Sequence, residues 1–490
     1  MKNNVASQSA QSKSPLLLWF RNDLRLADNA ALAAAAARKC PVIPVFVYDE
    51  GAQGAWSPGG ASRWWLHHSL SALAHALQER GSRLILRRGC AADELQKLAE
   101  ETGADLVHMT RRYEPWAITQ ETACRSQLAD AGIELKRFSG GLLVEPEAIA
   151  TKAGDPYKVY TPFWRALCSS YSPSRPSKAP KLLSSPKSWP QSDDLTDWGL
   201  KPINPNWASE FADFWMPGEA GADARLSAFL NDAVGAYKHA RNRPDVAGTS
   251  RLSPHLAHGE ISPRLVWWRI QSARAAHPER EPGLETFAKE LVWREFSYHL
   301  LFHFPDLPSK PFREEFAEFT WNNDAKSTGA WQRGMTGYPI VDAGMRELWA
   351  TGWMHNRVRM IVASFLIKDL LIDWRHGENW FWDTLVDADL ANNSASWQWV
   401  AGSGADAAPY FRIFNPVTQG EKFDPEGAYV RRWIPEIAKL PNKYLHKPFD
   451  ADEQTLANAC VSLGDTYPRP IVNHAQARKV ALSRFDDIKS

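Results

Sequence analysis

WMHNRVRM at 353–360 and DADLANNSASWQW at 387–399 bound the stretch that decides the fold of this chain. The run between them, 361–374, is apolar apart chiefly from Lys368 and Asp369. It has neither Pro nor Gly and is long enough for a buried helix. At helical spacing Trp353, Asn356 and Met360 share one face, while Arg359 points elsewhere. Asp387, Asp389, Asn392 and Asn393 then make a short polar loop ahead of Trp397 and Trp399. Each buried acid or amide costs free energy unless it is paired, and a core that merely folds has little use for so many beside tryptophans. The mixture suits a flat aromatic ligand with polar edges. An ordinary helical core with capped polar groups accounts for it equally well on this stretch alone.

Upstream the periodicity stays helical, over 225–237, 262–274, 284–303 and 341–351, so residues 221–485 read as an all-α domain. The N-terminal part differs. Apolar strands at 16–20, 42–48, 83–86 and 105–108 alternate with helices from about residue 28, at 62–80, and at about 92–101 and 118–131. That alternation implies an α/β domain over 15–145, built on a doubly wound parallel sheet. No G-x-G-x-x-G follows the first strand, so the usual dinucleotide grip is missing. Between the two domains, 146–220 loses its pattern, and the Ser-, Pro- and Lys-rich part 171–207 reads as a long surface linker. Residues 1–14 read as a disordered leader.

At 490 residues the chain has room for about two or three domains. Its 57 basic and 56 acidic side chains leave a formal charge of +1, so any nucleic-acid affinity has to come from a local patch rather than a global field. Cys40, Cys90, Cys124, Cys168 and Cys460 are scattered and form no CxxC. That argues against a disulfide framework, a zinc site or an iron–sulfur cluster, and no metal is expected. No h-region opens the chain and no apolar run reaches about 18 residues, so neither secretion nor membrane insertion is indicated and a cytoplasmic location is expected. The 23 tryptophans, mostly beyond residue 200, exceed what packing requires and point to stacking or electron transfer.

Thr249, Ser250, Arg251, Leu252 and Ser253 follow Gly248 with hydroxyls, backbone N–H groups and a guanidinium at an expected helix start. That is a ready phosphate site, although a plain N-cap beside an arginine is the commoner reason for such a cluster. GSGADA at 402–407 fits a glycine-rich nucleotide loop only superficially, because no strand precedes it. Glu290, Trp293 and Arg294 fall at i, i+3 and i+4. On such a helix face the aromatic can stack on a base and the acid can accept from base edges. Arg241, Arg243, Arg357 and Lys422 are candidates for phosphate contacts. His255, His258, His67 and His68 have no carboxylate or cysteine in company and read as structural.

These residues fall inside a longer set of motifs: LLLWFRNDLRLADN (16–29), GTSRLSPHLAHGEISPR (248–264), KELVWREF (289–296), GYPIVDAGMRELWATGWMHNRVRM (337–360), DADLANNSASWQW (387–399) and FRIFNPVTQGEKFDPEG (411–427). Through them the chain resembles the photolyase and cryptochrome flavoproteins over about 16–472, and within that family it looks like the class III cyclobutane pyrimidine dimer photolyases. The resemblance implies a U-shaped FAD in the helical domain, its diphosphate on Thr249, Ser250, Arg251, Leu252 and Ser253. Tyr237 is then an adenine- or phosphate-side contact. Phe287 is a cofactor contact where some members have Trp, and Asp387, Ala388 and Asp389 line the flavin and its sugar chain. Arg359 pairs with Asp387, and Asn393 stands opposite flavin N5. The resemblance also implies that Glu290, Trp293, Asn356, Met360 and Trp399 receive a flipped-out thymine dimer, with Arg241, Arg294, Arg357 and Gln419 on the DNA. Flipping costs least for a lesion that is already poorly stacked. Trp397, Trp374 and Trp321 match the family's electron relay.

The implied reaction is light-driven: excited reduced flavin gives an electron to the dimer, the ring splits, and the electron returns. UV-damaged DNA is the implied partner, and the protein is expected to work as a monomer. A methenyltetrahydrofolate antenna follows from the class III likeness, with a deazaflavin as the alternative. Tyr113, Glu114, Pro115 and Trp116 lack the Asn-Glu pair of some folate-binding members, and the segment near Pro308 is a residue shorter than theirs. The competing reading is a blue-light sensing cryptochrome. Asn393, where plant sensors carry Asp, and the lack of a long tail after residue 485 favour repair. Repair of (6-4) photoproducts fits poorly, because Asn356 stands where animal members carry His. The bacterial iron–sulfur form needs four clustered cysteines, and the helical domain has only Cys460.

Overall fold

The computed structural model describes residues 14–407 and 411–489, so the expected leader, apart from Ser14, lies outside the described residues. A parallel sheet of β1 (Leu16–Phe20), β2 (Val42–Tyr48), β3 (Ile85–Arg88), β4 (Leu106–Thr110) and β5 (Glu134–Phe138) runs in the order β3-β2-β1-β4-β5. α1 (Ala30–Ala37), α2 (Gly60–Gln78), α3 (Ala91–Thr102) and α4 (Pro115–Asp130) make the crossovers. β1, β2 and β4 are buried on both faces, which is why they read as unbroken apolar runs. β5 escapes that signal. At the sheet edge only Leu135 is buried, while Glu134, Lys136 and Arg137 are exposed.

The stretch expected to be a surface linker does stay largely at the surface, but a few residues anchor it on this sheet. Within 146–220, Tyr160–Ser170 forms a helix, α5. Leu183, Trp198 and Leu200 are then buried in the same apolar layer as Leu16 and Leu18, with Trp198 stacked on Tyr48 at 5.3 Å. A few apolar anchors spaced through a Ser-, Pro- and Lys-rich run carry no periodicity, so composition alone hides them.

The remainder is helical: α6 (Glu219–Ala228), α7 (Ser253–Ala257), α8 (Pro263–Ala276), α9 (Glu281–His303), α10 (Pro339–Thr351), α11 (Asn356–Ser364), α12 (Trp374–Thr384), α13 (Leu390–Ala401) and α14 (His474–Asp487) are its main elements. Two expected helices are broken. The pattern at 225–237 passes from α6 into a π turn at Phe229–Ala233 and a tight turn at Val234–Ala236. The buried run 361–374 is not one helix either. α11 ends at Ser364, a π turn spans Phe365–Asp369, Leu371 takes φ +56°, and Trp374 opens α12 under an Asp373 cap. The two charges in that run occupy the π turn, from which both reach partners. Lys368 donates to the Arg412 carbonyl at 2.7 Å, and Asp369 pairs with His474 of α14 at 2.5 Å.

Polar contacts seat the helices on the C-terminal end of the sheet. Glu219 accepts from the N–H groups of Leu26 and Ala27 at 2.9 and 2.8 Å, and Arg264 Nε donates to Asp28 at 3.0 Å. At Gly259 (φ +67°) a Cβ would fall 1.9 Å from the Asn22 carbonyl oxygen, so the approach of α7 to β1 requires glycine there.

Candidate active site

α9, α11 and α13, with the segment ahead of α7, enclose a cavity of about 540 Å³, a size typical of cofactor sites. α9 brings Phe287, Glu290, Trp293 and Arg294 to one wall, as their spacing suggests. α11 brings Asn356, Arg357, Arg359 and Met360. Arg359 therefore faces the cavity, contrary to the face counted from Trp353 but beside Asp387, the partner that the family resemblance implies. Trp353 does not line it, because α11 begins only at Asn356 under a His355 cap and Trp353 lies outside its helical face. Trp353 acts as a brace instead: its Nε1 donates to Ser253 Oγ at 3.2 Å, and the Arg251 guanidinium lies over its ring at 4.8 Å.

Asp389, Asn392 and Asn393 belong to a helix start rather than a loop. Asp389 caps α13, accepting from the Asn392 N–H at 2.9 Å, and it also accepts from the Tyr298 hydroxyl. Asp387 accepts from Arg359 at 2.8 Å, and Arg359 Nε donates to the Met354 carbonyl at 2.8 Å, so the pair and its second anchor fix both side chains. Asn393 Nδ2 donates to the Glu378 carbonyl at 3.0 Å. Behind it, Ser394 donates to the Glu378 carboxyl, which burial pushes up to about 8. A proton on that carboxyl at neutral pH leaves the wall behind Asn393 uncharged.

Of the hydroxyl-rich segment, Ser250, Leu252 and Ser253 line the cavity; Thr249 and Arg251 do not. α7 has only five residues, so hydroxyls and backbone N–H groups, rather than a helix dipole, offer the anion site. Tyr237 and Phe287 meet edge-on with ring centroids 5.7 Å apart, and Ala388 completes this side. Serine hydroxyls for phosphates, an Arg–carboxylate pair and an amide for polar ring edges, and aromatic corners for ring faces together fit the FAD expected from the sequence.

The cationic candidates divide. Arg241 lines the cavity but is paired with Glu290 at 2.7 Å; burial pushes Glu290 up, and this arginine pulls it the other way. Arg294 donates to the Gly141 carbonyl at 3.1 Å and pairs with Glu295. Arg357 donates to Asn242 at 2.6 Å. Arg243 pairs with Asp245, Lys422 lies over Phe423, and half-buried Gln419 stands outside the cavity wall. His255 does have a carboxylate in company: its Nδ1 meets Glu260, which also accepts from Trp65 Nε1 at 2.9 Å. Among the described residues no group of three or more His, Cys, Asp or Glu could hold a metal, and no helix is long and apolar enough to cross a membrane.

Trp397 lines the cavity, Trp374 is buried at the start of α12, and half-buried Trp321 packs on the same apolar cluster. α12 and α13 meet through Gly377, where a Cβ would fall 2.1 Å from the Trp397 ring. A second aromatic column, Trp380 stacked on Trp349 at 6.2 Å, reaches the surface at Trp349, which is 52% exposed. Glu378, Tyr298 and Tyr160 were not legible as site residues. Each acts from a different element on a residue that was, and nothing in their local sequence marks that contact.

A smaller cavity of about 100 Å³ lies between the sheet and the helices, lined by Trp19, Arg21, Tyr48, Trp116, His258 and Trp382 among others. It sits beside the point where the strand order reverses, between β1 and β4, where open α/β sheets bind ligands. Trp19 Nε1 and Arg21 Nε and Nη1 are buried without a hydrogen-bond partner.

Residues 16–181 match the family model described as DNA photolyase, and 287–487 the one described as the FAD binding domain of DNA photolyase. The deoxyribodipyrimidine photo-lyase of Agrobacterium fabrum is 54% identical over 476 residues, covering 97% of this chain and 98% of that protein. Cryptochrome-1 of Arabidopsis thaliana is 39% identical over 472 residues, covering 94% of this chain and 69% of that protein. The crystal structure of a bacterial class III photolyase from Agrobacterium tumefaciens superposes with a TM-score of 0.95 at 53% identity, over 99% of both chains.

Proposed function

The chain belongs to the photolyase and cryptochrome family of flavoproteins, and from that premise we propose that it repairs cyclobutane pyrimidine dimers in DNA by light-driven electron transfer. One observation carries the reading: a single cavity sets Glu290, Trp293, Asn356, Met360 and Trp399 beside the Arg359–Asp387 pair, Asn393 and Trp397. FAD would be held by Tyr237, Ser250, Leu252, Ser253, Phe287, Arg359, Asp387, Ala388, Asp389 and Asn393, with Arg251 bracing Trp353 and Thr249 next to Ser250 in the chain. When bound and reduced, FAD supplies the electron that splits the dimer.

The chain's own residues do the rest. Trp293 and Trp399 offer ring faces to flipped bases, Glu290 and Asn356 meet base edges with hydrogen bonds, and Met360 fills the space between. Arg241, Arg294, Arg357 and Gln419 hold the strand around the lesion. Trp321, Trp374 and Trp397 pass an electron inward from the surface. The smaller cavity takes only the flat ring of an antenna, a methenyltetrahydrofolate by class III likeness, with aromatics for the ring faces and the unpartnered donors of Trp19 and Arg21 for its acceptors. The protein works as a monomer.

The test is the visible spectrum of the purified protein and of the small molecules that denaturation releases. About one FAD per chain is expected, with a second, near-ultraviolet chromophore. A colourless, well-folded protein contradicts the reading.

A further inference from the structure

The face of Trp293 turned away from the cavity is not bare. Tyr160, the first residue of α5, stacks on it with ring centroids 3.7 Å apart and planes 5° from parallel. Tyr160 is buried and does not line the cavity, whereas Trp293 does, so the phenol ring backs the indole. Phe296, three residues on along α9, stands edge-on to both rings at 6.0 and 5.9 Å.

The stack is clamped at both ends. The Tyr160 hydroxyl donates to the Lys289 carbonyl at 2.6 Å, one turn before Trp293 on α9. Burial pushes the phenol up, so the donor proton stays in place across the working pH range. The Tyr160 N–H donates to Asp406 Oδ2 at 3.2 Å, and the preceding residue, Ala405, lines the cavity. One residue of α5 thus ties together α9, the lesion-side tryptophan and the segment that follows α13.

We propose that Tyr160 is a positioning residue for damaged DNA: it fixes the Trp293 ring from behind, so that the ring presents one face, already ordered, to a flipped base. The inference rests on the reading that the cavity receives the dimer. A tryptophan held only at its Cβ would lose rotamer freedom on meeting the base, and that loss opposes binding. With Tyr160 in place the ordering accompanies folding instead. Aromatic pairing of this kind is worth a few-fold to about tenfold in an equilibrium constant.

The experiment is a titration of matched duplexes, with and without one thymine dimer, against Tyr160→Leu, Tyr160→Phe, Trp293→Ala and the double variant Tyr160→Leu/Trp293→Ala, each checked for flavin content. Tyr160→Leu should weaken dimer DNA about three- to tenfold and leave undamaged DNA unchanged, while Tyr160→Phe, which keeps the flat ring, retains affinity. Once Trp293 is gone, Tyr160→Leu should add no further dimer-selective loss. If Tyr160→Leu is not accommodated, Tyr160→Met, which keeps volume without a flat ring, is measured against the same expectations. Equal loss on both DNAs, an undiminished effect in the Trp293→Ala background, or no loss at all overturns the proposal. Should Trp293→Ala itself spare dimer binding, the lesion reading falls with it. If only the Tyr160 variants are silent, the lesion reading stands and the positioning role does not.

Discussion

Gly377→Ala puts one methyl group into the contact between α12 and α13. That Cβ would lie 2.1 Å from the nearest atom of the Trp397 ring, with two further ring atoms at 2.4 and 2.7 Å. Carbon atoms rest about 3.5 Å apart, so ring and helix must separate by more than about 1 Å. Phe381 and Trp331 close off the ring at 5.0 and 6.4 Å, and the free direction is into the cavity. The overpacking costs about 1–3 kcal/mol, against about 1 kcal/mol gained by replacing glycine within a helix. The variant should therefore fold, with a melting temperature lower by no more than a few degrees. A displacement of that size at a reacting centre lowers rates by about one to two powers of ten. Bound FAD should fall, and photoreduction of the FAD that remains should slow by about tenfold or more, because Trp397 is a cavity wall and the proposed electron donor. The assay is flavin absorbance per chain, followed by bleaching under blue light with an external reductant. Dimer binding through Trp293 on α9 should be spared once flavin content is matched. Parental flavin content together with parental photoreduction would refute the idea that the Gly377 contact sets the position of Trp397.

Trp397→Phe should suppress photoreduction while chemically pre-reduced protein still repairs; unchanged photoreduction in both Trp397→Phe and Trp374→Phe would remove these residues from the relay. Arg359→Ala leaves Asp387 buried without its partner and should cost about 3 kcal/mol in a denaturant titration, together with flavin retention, and Arg359→Lys should recover part of both. Glu378 titrates near 8 when folded and near 4.3 when unfolded, so between those values the folded state holds a proton that the unfolded chain has released. That stabilisation is fully present below about pH 4.3 and is lost as pH rises towards 8, by about 1.4 kcal/mol per pH unit. Glu378→Gln should flatten the fall in stability over that window; an unchanged slope would mean that Glu378 does not titrate there.

Much of the site was legible because the chemistry that it needs is unusual in a core. Asp387, Asp389, Asn392 and Asn393 beside Trp397 and Trp399 suggested a polar-edged aromatic ligand no more strongly than a capped core, and Glu290 with Trp293 suggested a helix face for a base; the structure brings all eight to the wall of one cavity. Burial is the physical reason, since such groups are costly inside a protein without partners. What stayed hidden depends on contacts between distant elements. Lys368 and Asp369 read as interruptions in a helix, but their partners, Arg412 and His474, could not be read from the run itself, and the turn that lets them pair breaks the helix. The helical face counted from Trp353 turned Arg359 elsewhere because Trp353 lies three residues before α11 begins, whereas the family resemblance paired it with Asp387, as the structure does. β5 was missed because an edge strand buries only one of its five residues. Tyr160 lies in a stretch without periodicity, and no local pattern connects it with Trp293. The anchors of the 171–207 segment were lost in the same way, through Leu183, Trp198 and Leu200 in a run dominated by Ser, Pro and Lys.

We propose that this cavity splits cyclobutane dimers when FAD is reduced and light is supplied. A duplex carrying a single thymine dimer, incubated with pre-reduced protein, should be restored to the undamaged sequence under blue light and stay unchanged in the dark. A matched (6-4) duplex should stay unchanged in both. Light-dependent repair that disappears in Glu290→Ala/Trp293→Ala at matched flavin content is the predicted result. No restoration of the dimer by flavin-loaded, pre-reduced protein, or restoration of the (6-4) duplex in its place, would mean that the cavity does not repair cyclobutane dimers.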